Sequence, residues 1–413
     1  MVPIFLTILR DLNIAFRNVV RHRRRAAFAL LIISGGVISF DLAGGFINWM
    51  LENMRESMIH SQLGHIQVVR PNYFKTGVGD PYRYLLPEKS DTEREIRAMP
   101  GVEAVAPRLS ISGLASFNDA TITFIGEGVD PKNEELVSRD ISIVAGQALS
   151  DDEPGGVILG RGLAANLGVK VGDTMVLTTT TAKGGFGASD VRVRGLFSTF
   201  SKEYDDSALR APIKLVRRLL KVEGSTVWIV LLKDTAQTYP VMQDLRRKAD
   251  PKAFEFVPWE ELADFYLKTR ALFLKQVLVV EILVALVIVV SIGNTLHMAV
   301  TERTGEIGTA MALGARRSAV FRMFLFEGLV LGVLGGCIGA SLGWGLSFFL
   351  SWVGIPMPPP PGMEEGFDAE ILVDAAMSLN AFLLAVVTAV LASVIPAMKA
   401  SRMNIVDALR HQR

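Results

Sequence analysis

Two long apolar segments that enclose a short charged insert are the feature that most constrains this chain of 413 residues. The segments cover residues 277–298 and 323–350, and each is long enough to cross a bilayer as a helix. The insert, residues 301–317, is too polar for lipid and too short for a domain. Because Lys and Arg concentrate in cytoplasmic loops, its arginines predict that it lies in the cytoplasm.

The composition predicts a membrane protein with a large polar part. Half of the residues are hydrophobic and the mean hydropathy is +0.35, which is high for a soluble protein and low for one made only of spans. A net charge of +1 and the lack of a basic stripe interleaved with aromatics give no indication of nucleic acid as a partner. The single cysteine, Cys337, excludes an intramolecular disulfide and leaves an envelope location open.

The N-terminal region predicts a helix on the membrane surface followed by a span. Residues 1–25 are amphipathic and basic, as in a helix that lies on anionic lipid, and the alternative is a solvated basic tail. Residues 26–51 form the first span, which is longer than the core of a cleaved signal peptide. Within it, Asp41 indicates either function or a contact with a neighbouring helix or water.

Residues 52–271 predict an α+β domain outside the membrane. Two strand–helix–strand units are separated by an insertion at about residues 133–220, so we expect a second lobe inside the domain. Residues 178–187, TTTTAKGGFG, are polar and Gly-rich and predict a loop.

Three further spans follow, at residues 272–300, 320–350 and 376–396. The helical pattern around residues 272–300, the second span of the chain, starts at about Pro258, so the helix is about 60 Å long and predicts a stalk beyond the bilayer. The first span is expected to extend in the same way. Residues 351–375 contain a proline run and acidic residues but no Lys or Arg, so they predict an outer loop. The basic tail, residues 397–413, places both termini in the cytoplasm.

We find no sequence signature of an active site. No phosphate-binding loop, serine nucleophile motif or metal-ligand spacing occurs, and His60 and His65 are an isolated pair. Glu281 and Glu327 lie in spans, as a proton relay would require. For Glu281, snorkelling beside Lys275 near the outer interface is the alternative. The chain is therefore expected to be non-catalytic.

The insert predicts a short helix with two faces. Glu302 and Glu306 share one face, and Arg303 can pair with Glu306. Small and flexible side chains form the second face, namely Ile307, Ala310, Met311 and Gly314. Such a helix fits a groove of a cytoplasmic partner. The alternative is a surface helix that only reverses the chain.

Four runs resemble the MacB, LolC/LolE and FtsX superfamily of ABC transporter permeases. The insert and the following helix read TERTGEIGTAMALGARRSAVFRMFLFEG, similar to the FtsX-like permease module. IPAMKASRMNIVDALR is similar to its closing motif and AFRNVVRHRRRAAFALLIISGGV to its start. VILGRGLAANLGVKVGDTMVL is similar to the periplasmic core of MacB-like permeases.

The resemblance implies that a separate cytoplasmic ATPase dimer docks on the insert of two permease chains, alike or unlike. The implied coupling residues are Glu302, Arg303, Glu306, Ile307, Ala310, Met311, Leu313 and Gly314. ATP and Mg²⁺ would bind the ATPase, and no cofactor would bind this chain. A periplasmic adaptor or carrier is a further expected partner, beside the lipid bilayer. The implied location is a bacterial inner membrane, with the large domain in the periplasm.

Three functions remain open at this point. The leading hypothesis is the permease subunit of a transporter that exports or releases amphipathic cargo, such as a lipoprotein or lipid. The alternative is an FtsX-like mechanical regulator that transmits ATPase motion to a periplasmic enzyme such as a cell-wall hydrolase. The third is an ion- or proton-coupled transporter that uses Asp41, Glu281 and Glu327.

Overall fold

Two compact units make up the chain, and each is continuous with the other through long helices. The computed structural model describes residues 2–199, 201–358, 367–405 and 408, with only the backbone of residues 2–9 and 367. The helical unit comprises Met1–Leu51, Thr269–Pro356 and Asp368–Arg413, and the sheet unit comprises Glu52–Lys268 and Met357–Phe367. Most of the predicted proline run, Glu364, Glu365 and the tail residues Arg410 and Arg413 lie outside the described residues.

The helices and strands are numbered in chain order. The helices are α1 (Val2–Arg21), α2 (Arg23–Met58), α3 (Asp91–Arg97), α4 (Pro131–Val137), α5 (Arg161–Leu167), α6 (Lys202–Asp205), α7 (Ile213–Leu220), α8 (Thr238–Lys248), α9 (Trp259–Leu262), α10 (Asp264–Glu302), α11 (Thr304–Ala312), α12 (Arg317–Val353) and α13 (Ala375–Ser401). The strands are β1 (Ile66–Val69), β2 (Val102–Phe117), β3 (Ala120–Val129), β4 (Ser142–Gly146), β5 (Gly156–Gly160), β6 (Thr174–Thr180), β7 (Phe186–Ser198), β8 (Ala208–Pro212), β9 (Val227–Leu232), β10 (Glu255–Pro258), β11 (Ile355–Met357) and β12 (Phe367–Ala369).

Four of the described helices, α2, α10, α12 and α13, are long and apolar enough to cross a membrane. Each of the four predicted spans falls inside one of them. A π-helical turn, Ile59–Leu63, continues α2. Helix α10 has 39 residues and is therefore about 58 Å long. It begins after a break at Ala263 rather than at Pro258, because Ala263 leaves the helical backbone region.

Glycines of α12 allow its neighbours to approach closely. A Cβ atom at Gly332 would lie 2.7 Å from the Cβ atom of Ala389 in α13, and one at Gly339 would lie 2.6 Å from that of Val37 in α2. Small residues at such positions increase van der Waals contact between helices, which is the main attraction available in lipid. Helix α12 is thus packed on two sides by other spans.

Ten described strands of the sheet unit form a sheet with the order β10-β1-β9-β2-β3-β8-β5-β7-β4 and with β6 paired to β2 and β7, and β11 and β12 form a separate pair. Strand β2 has 16 residues, and it contributes Val105 to one hydrophobic core and Leu109 to another. The inserted residues therefore add a second core but extend the same sheet. These features confirm the predicted fold class, four spans with an α+β domain between the first and second.

The loop predicted for residues 178–187 is confined to residues 181–185, and the prediction was wrong for the two ends of the range. Thr178–Thr180 end β6 and Phe186 begins β7, and these strands pair as a hairpin with Thr180 opposite Phe186. Threonine and phenylalanine favour strands. Only the short turn between them needs glycine, since Gly184 has a φ of +79°.

Candidate functional site

Helix α11 forms the middle of the charged insert and is fixed by its inner face. Ile307 and Met311 are buried in the core of the helical unit. Gly308 lies between them in the chain, and a Cβ atom there would be 2.7 Å from the Cβ atom of Ala408. Ala408 therefore packs directly against α11.

The outer face of α11 ends in an exposed apolar side chain. Glu306, Thr309 and Ala310 are exposed, and Leu313 has 85% of its surface accessible. The next residue, Gly314, has a φ of +98°. Its N–H group donates to the Met311 carbonyl, and the next N–H group donates to the Ala310 carbonyl. This termination motif ends the helix and leaves Leu313 at its tip.

The predicted grouping of Ile307, Ala310, Met311 and Gly314 on one contact face was wrong. Ile307 and Met311 point into the protein, whereas Ala310 and Gly314 are exposed. Ile307 and Met311 are four residues apart and lie on the same side of the helix. This side, which carries the larger apolar side chains, is the one that faces the core. The exposed members of the predicted set are therefore Glu302, Glu306, Ala310, Leu313 and Gly314.

Arg303 occupies the junction between α10 and α11. Its Nη1 atom donates to Oε1 of Glu327 at 2.9 Å, and its Nε atom donates to Oε2 of Glu306 at 3.3 Å. The guanidinium carbon lies 5.9 Å from the ring centre of Phe324, within the range of a cation–π contact. The preceding residue, Glu302, accepts a hydrogen bond from Arg25 at the start of α2. Both ends of this junction are thus held by ion pairs.

Glu327 is a meeting point of three elements. Its side chain is buried in α12, and Oε1 also accepts from Nδ2 of Asn18 in α1 at 2.7 Å. Besides this hydrogen bond, an ion pair between Asp11 and Arg322 at 3.3 Å joins α1 to α12. Sequence reasoning did not single out Asp11 and Asn18. Their spacing of seven residues, which puts them on one face of a helix, was the available signal.

Asp41 faces neighbouring helices, which was one of its two predicted settings. Its side chain is fully buried, and Oδ1 accepts from the hydroxyl of Ser378 in α13 at 3.2 Å. That hydroxyl accepts from the indole N–H of Trp344 at 2.8 Å. Oδ2 has no hydrogen-bond partner among the described residues. Glu281 is half-buried on α10. Among the described residues, no chain of hydrogen bonds connects it to Asp41 or Glu327.

A buried ionic cluster in the sheet unit holds the end of the α2 extension. Arg108 donates to both carboxylate oxygens of Glu134, at 2.6 and 3.2 Å, and to the carbonyl of Gln62 at 2.6 Å. Arg210 donates to Glu134 at 2.9 Å and to the carbonyl of Ser61 at 2.8 Å. Both carbonyls belong to the π-helical turn, whose last carbonyls would otherwise lack partners.

The charges in this cluster stabilise each other. Burial alone would raise the pKa of Glu134, but Arg108 and Arg210 outweigh it and hold that pKa below its usual range. Burial would likewise lower the pKa of Arg108, but Glu127 and Glu134 raise it. Glu134 and Arg108 are therefore both charged near neutral pH. Sequence reasoning missed it, since its members are far apart in the chain.

His65 and His60 have separate hydrogen-bonding roles. The backbone N–H of Leu232 donates to Nδ1 of His65 at 3.0 Å, so the neutral ring carries its proton on Nε2, which is 3.0 Å from the hydroxyl of Thr235. That hydroxyl donates to Glu56 at 3.0 Å. His60 lies beside the carbonyl of Glu56 at 2.9 Å. Among the residues that the structure describes, no group of His, Cys, Asp and Glu could hold a metal ion.

Two protein families match most of the chain. The MacB-like periplasmic core domain matches residues 26–248, more than half of the chain, and the FtsX-like permease C-terminal domain matches residues 278–405. The chain belongs to the MacB/FtsX family of ABC transporter permeases. The resemblance expected from the motifs is thereby confirmed. The match to the FtsX-like domain contains α11, Arg303 and Glu327.

Relatives of this permease agree with the assignment. An uncharacterized ABC transporter permease of Methanocaldococcus jannaschii is 24% identical over 80% of this chain and 82% of its own length. The macrolide export ATP-binding/permease protein MacB of Escherichia coli K12 is 37% identical over 35% of this chain and 20% of its own length. The permease thus matches about a fifth of MacB. The solved periplasmic region of MacB from Actinobacillus actinomycetemcomitans is 16% identical, over 51% of this chain and 95% of that chain, with a TM-score of 0.36.

Proposed function

We propose that this permease is the transmembrane subunit of a transporter driven by a separate cytoplasmic ATPase, which docks on the outer face of α11. The observation that carries the proposal is Leu313, an apolar side chain with 85% of its surface accessible at the tip of a fixed helix. An exposed apolar anchor surrounded by polar residues fits a pocket of a partner protein. Family membership supports the same partner, because permeases of this type work with cytoplasmic ATPases.

The surroundings of Leu313 provide a charged rim for this contact. Glu306 lies on the exposed face before it, and Arg316 and Arg317 are exposed after it. Charged groups at the rim of an interface set the orientation of the partner more than the affinity. In the proposed complex, the ATPase binds ATP and Mg²⁺, and the permease binds neither.

We further propose that movement passes to the sheet unit through α2 and α10. Both helices are continuous across the boundary between the two units. At the end of the α2 extension, the carbonyls of Ser61 and Gln62 are held by Arg210 and Arg108. A displacement of the π-helical turn would therefore also displace the ionic cluster. In the assembled transporter, ATP binding draws two permease chains together, and their periplasmic domains act on amphipathic cargo such as a lipoprotein or lipid.

The proton-coupled hypothesis receives less support from the structure. A proton carrier must gain and lose its charge during transport. Glu327 instead forms an ion pair with Arg303 at 2.9 Å. This geometry favours a structural role for its charge.

The test is capture of an ATPase with the full-length permease purified from its native membranes. We expect an ATPase with wild type, its loss with Leu313→Glu, and full capture with the control Arg402→Glu, which changes the charge of an exposed residue outside α11. If wild type captures no ATPase in any nucleotide state, the proposed function has no energy source and is wrong. Undiminished capture by Leu313→Glu would place the docking surface elsewhere. Copurification of a periplasmic hydrolase instead of cargo would favour the mechanical regulator.

A further inference from the structure

The carboxylate of Glu327 connects the junction before α11 to the N-terminal helix α1. One oxygen atom, Oε1, accepts from Arg303 at 2.9 Å and from Asn18 at 2.7 Å. Arg303 and Asn18 have no direct hydrogen bond to each other among the described residues. A shift of either donor therefore changes the position or the strength of the acceptor that the other one uses.

The setting of Glu327 makes this connection strong. The side chains of Glu327 and Arg303 are 6% and 14% exposed, and charged pairs attract each other more strongly when they are shielded from water. Removal of Arg303 leaves Glu327 as a partly unpaired buried charge, which has to be hydrated, so its hydrogen bond with Asn18 weakens. A cavity of about 40 Å³ borders all three side chains, which gives them room to move.

Helix α1 has a surface suited to sense or resist such movement. Ile14, Phe16 and Val20 are exposed apolar residues, as expected for a helix that rests on the membrane. The ion pair of Asp11 with Arg322 joins the same two helices at a different place. Polar groups thus connect α1 to α12 through Asn18 and Glu327, whose acceptor oxygen Arg303 shares, and through Asp11 and Arg322, where Arg303 takes no part.

We infer that Glu327 is a positioning residue that links the orientation of α11 to that of α1, so that ATPase docking changes the position of α1 on α12. This inference rests on the proposed function for its physiological trigger. The link itself requires only residues of the permease. Glu327 contacts neither ATP nor cargo in this scheme, and it acts through Arg303.

The first experiment needs no ATPase. A reporter cysteine, Phe16→Cys, is introduced on α1 in a Cys337→Ser background, and its rate of reaction with a maleimide is measured in purified full-length permease. We expect Arg303→Ala to raise this rate several-fold, although Arg303 has no hydrogen bond to α1 among the described residues. In a Glu327→Gln background, the same Arg303→Ala substitution should change the rate much less, because the amide oxygen still accepts but carries no charge. The control Glu281→Gln, on α10, should leave the rate unchanged.

The outcome without ATPase decides whether the link exists. If Arg303→Ala leaves the reporter rate at the wild-type value while the protein remains folded, the inference is wrong. If the effects of Arg303→Ala and Glu327→Gln simply add, the two residues act independently, and the inference is also wrong. A positive result stands even if the permease captures no ATPase, so failure of the proposed function is recognised separately.

The second experiment repeats the measurement with the captured ATPase. Docking should change the reporter rate in wild type and in Glu281→Gln. In Glu327→Gln, the amount of captured ATPase should stay the same while the change in reporter rate becomes much smaller. An equal change in wild type and in Glu327→Gln would reduce Glu327 to a purely structural residue and would overturn its positioning role.

Discussion

Glu134 accepts hydrogen bonds from two guanidinium groups that are almost fully buried, those of Arg108 and Arg210. A buried charge without a partner is unfavourable by several kcal/mol. Glu134→Gln removes the charge while keeping the shape, so it leaves two buried cations with only Glu127 nearby. We expect the free energy of unfolding of the sheet unit to fall by about 3–5 kcal/mol.

Chemical denaturation of the full-length permease, followed by fluorescence of the buried Trp228, measures this loss. The matched control is Glu135→Gln, since Glu135 is the exposed neighbour in the same helix. It should change the free energy of unfolding by less than about 0.5 kcal/mol. Equal effects of the two substitutions would show that the cluster contributes little stability.

His65 gives the sheet unit a dependence on pH. Burial, together with the nearby His60, lowers the pKa of His65 to about 4. In the unfolded chain its pKa is about 6.5, so between these values the unfolded state binds more protons than the folded state. Stability therefore falls as the pH drops from about 6.5 to about 4, by up to about 3 kcal/mol.

The measurement is the midpoint of denaturant unfolding at several pH values in this window. His65→Gln can still accept from the Leu232 N–H group and donate to Thr235, but it cannot bind a proton. We expect it to flatten the pH dependence, whereas His297→Gln, at an exposed position of α10, should leave the slope unchanged. A slope that persists in His65→Gln would assign the effect to other groups.

At the scale of elements, the glycines of α12 determine how closely the spans pack. A Cβ atom at Gly339 would lie 2.9 Å from the backbone oxygen of Ser34 and 2.6 Å from Val37, while one at Gly345 would meet nothing within 4 Å. Gly339→Ala should therefore lower the thermal unfolding midpoint of the permease in detergent. Gly345→Ala should keep or raise it, since alanine favours helix by about 1 kcal/mol.

The pair shares one helix and one chemical change, so the comparison isolates packing. If both substitutions stabilise the protein equally, the close approach of α2 and α12 at Gly339 has no energetic importance. If both destabilise it equally, glycine is required for a reason other than this contact.

Local patterns were enough to predict the spans and the short helix, because hydropathy and charge act over neighbouring residues. They did not predict which face of α11 is buried. That choice depends on Ala408, which lies about a hundred residues further along the chain and packs on Gly308. The link of Arg303 and Asn18 through Glu327 was missed for the same reason, since it joins residues from three elements.

At the scale of the whole molecule, the arrangement across the membrane determines what each exposed residue can meet. Leu313 and Phe186 are both 85% exposed, one at the tip of α11 and the other at the start of β7. Arginine-rich segments lie before the first span and between the second and third, so the positive-inside rule predicts that α11 is in the cytoplasm. The same rule predicts that the domain between the first and second spans is outside. Leu313 and Phe186 are therefore expected on opposite sides.

Single cysteines at these positions test the arrangement, again in the Cys337→Ser background. In intact spheroplasts, a membrane-impermeant maleimide should label Phe186→Cys and leave Leu313→Cys unlabelled. After permeabilisation Leu313→Cys should become reactive as well, since its side chain is exposed in the permease. Labelling of Leu313→Cys in intact spheroplasts would put α11 outside, where no ATPase could reach it. The proposed docking surface would then be wrong, whereas the links within each unit would be unaffected, since they depend only on contacts inside that unit.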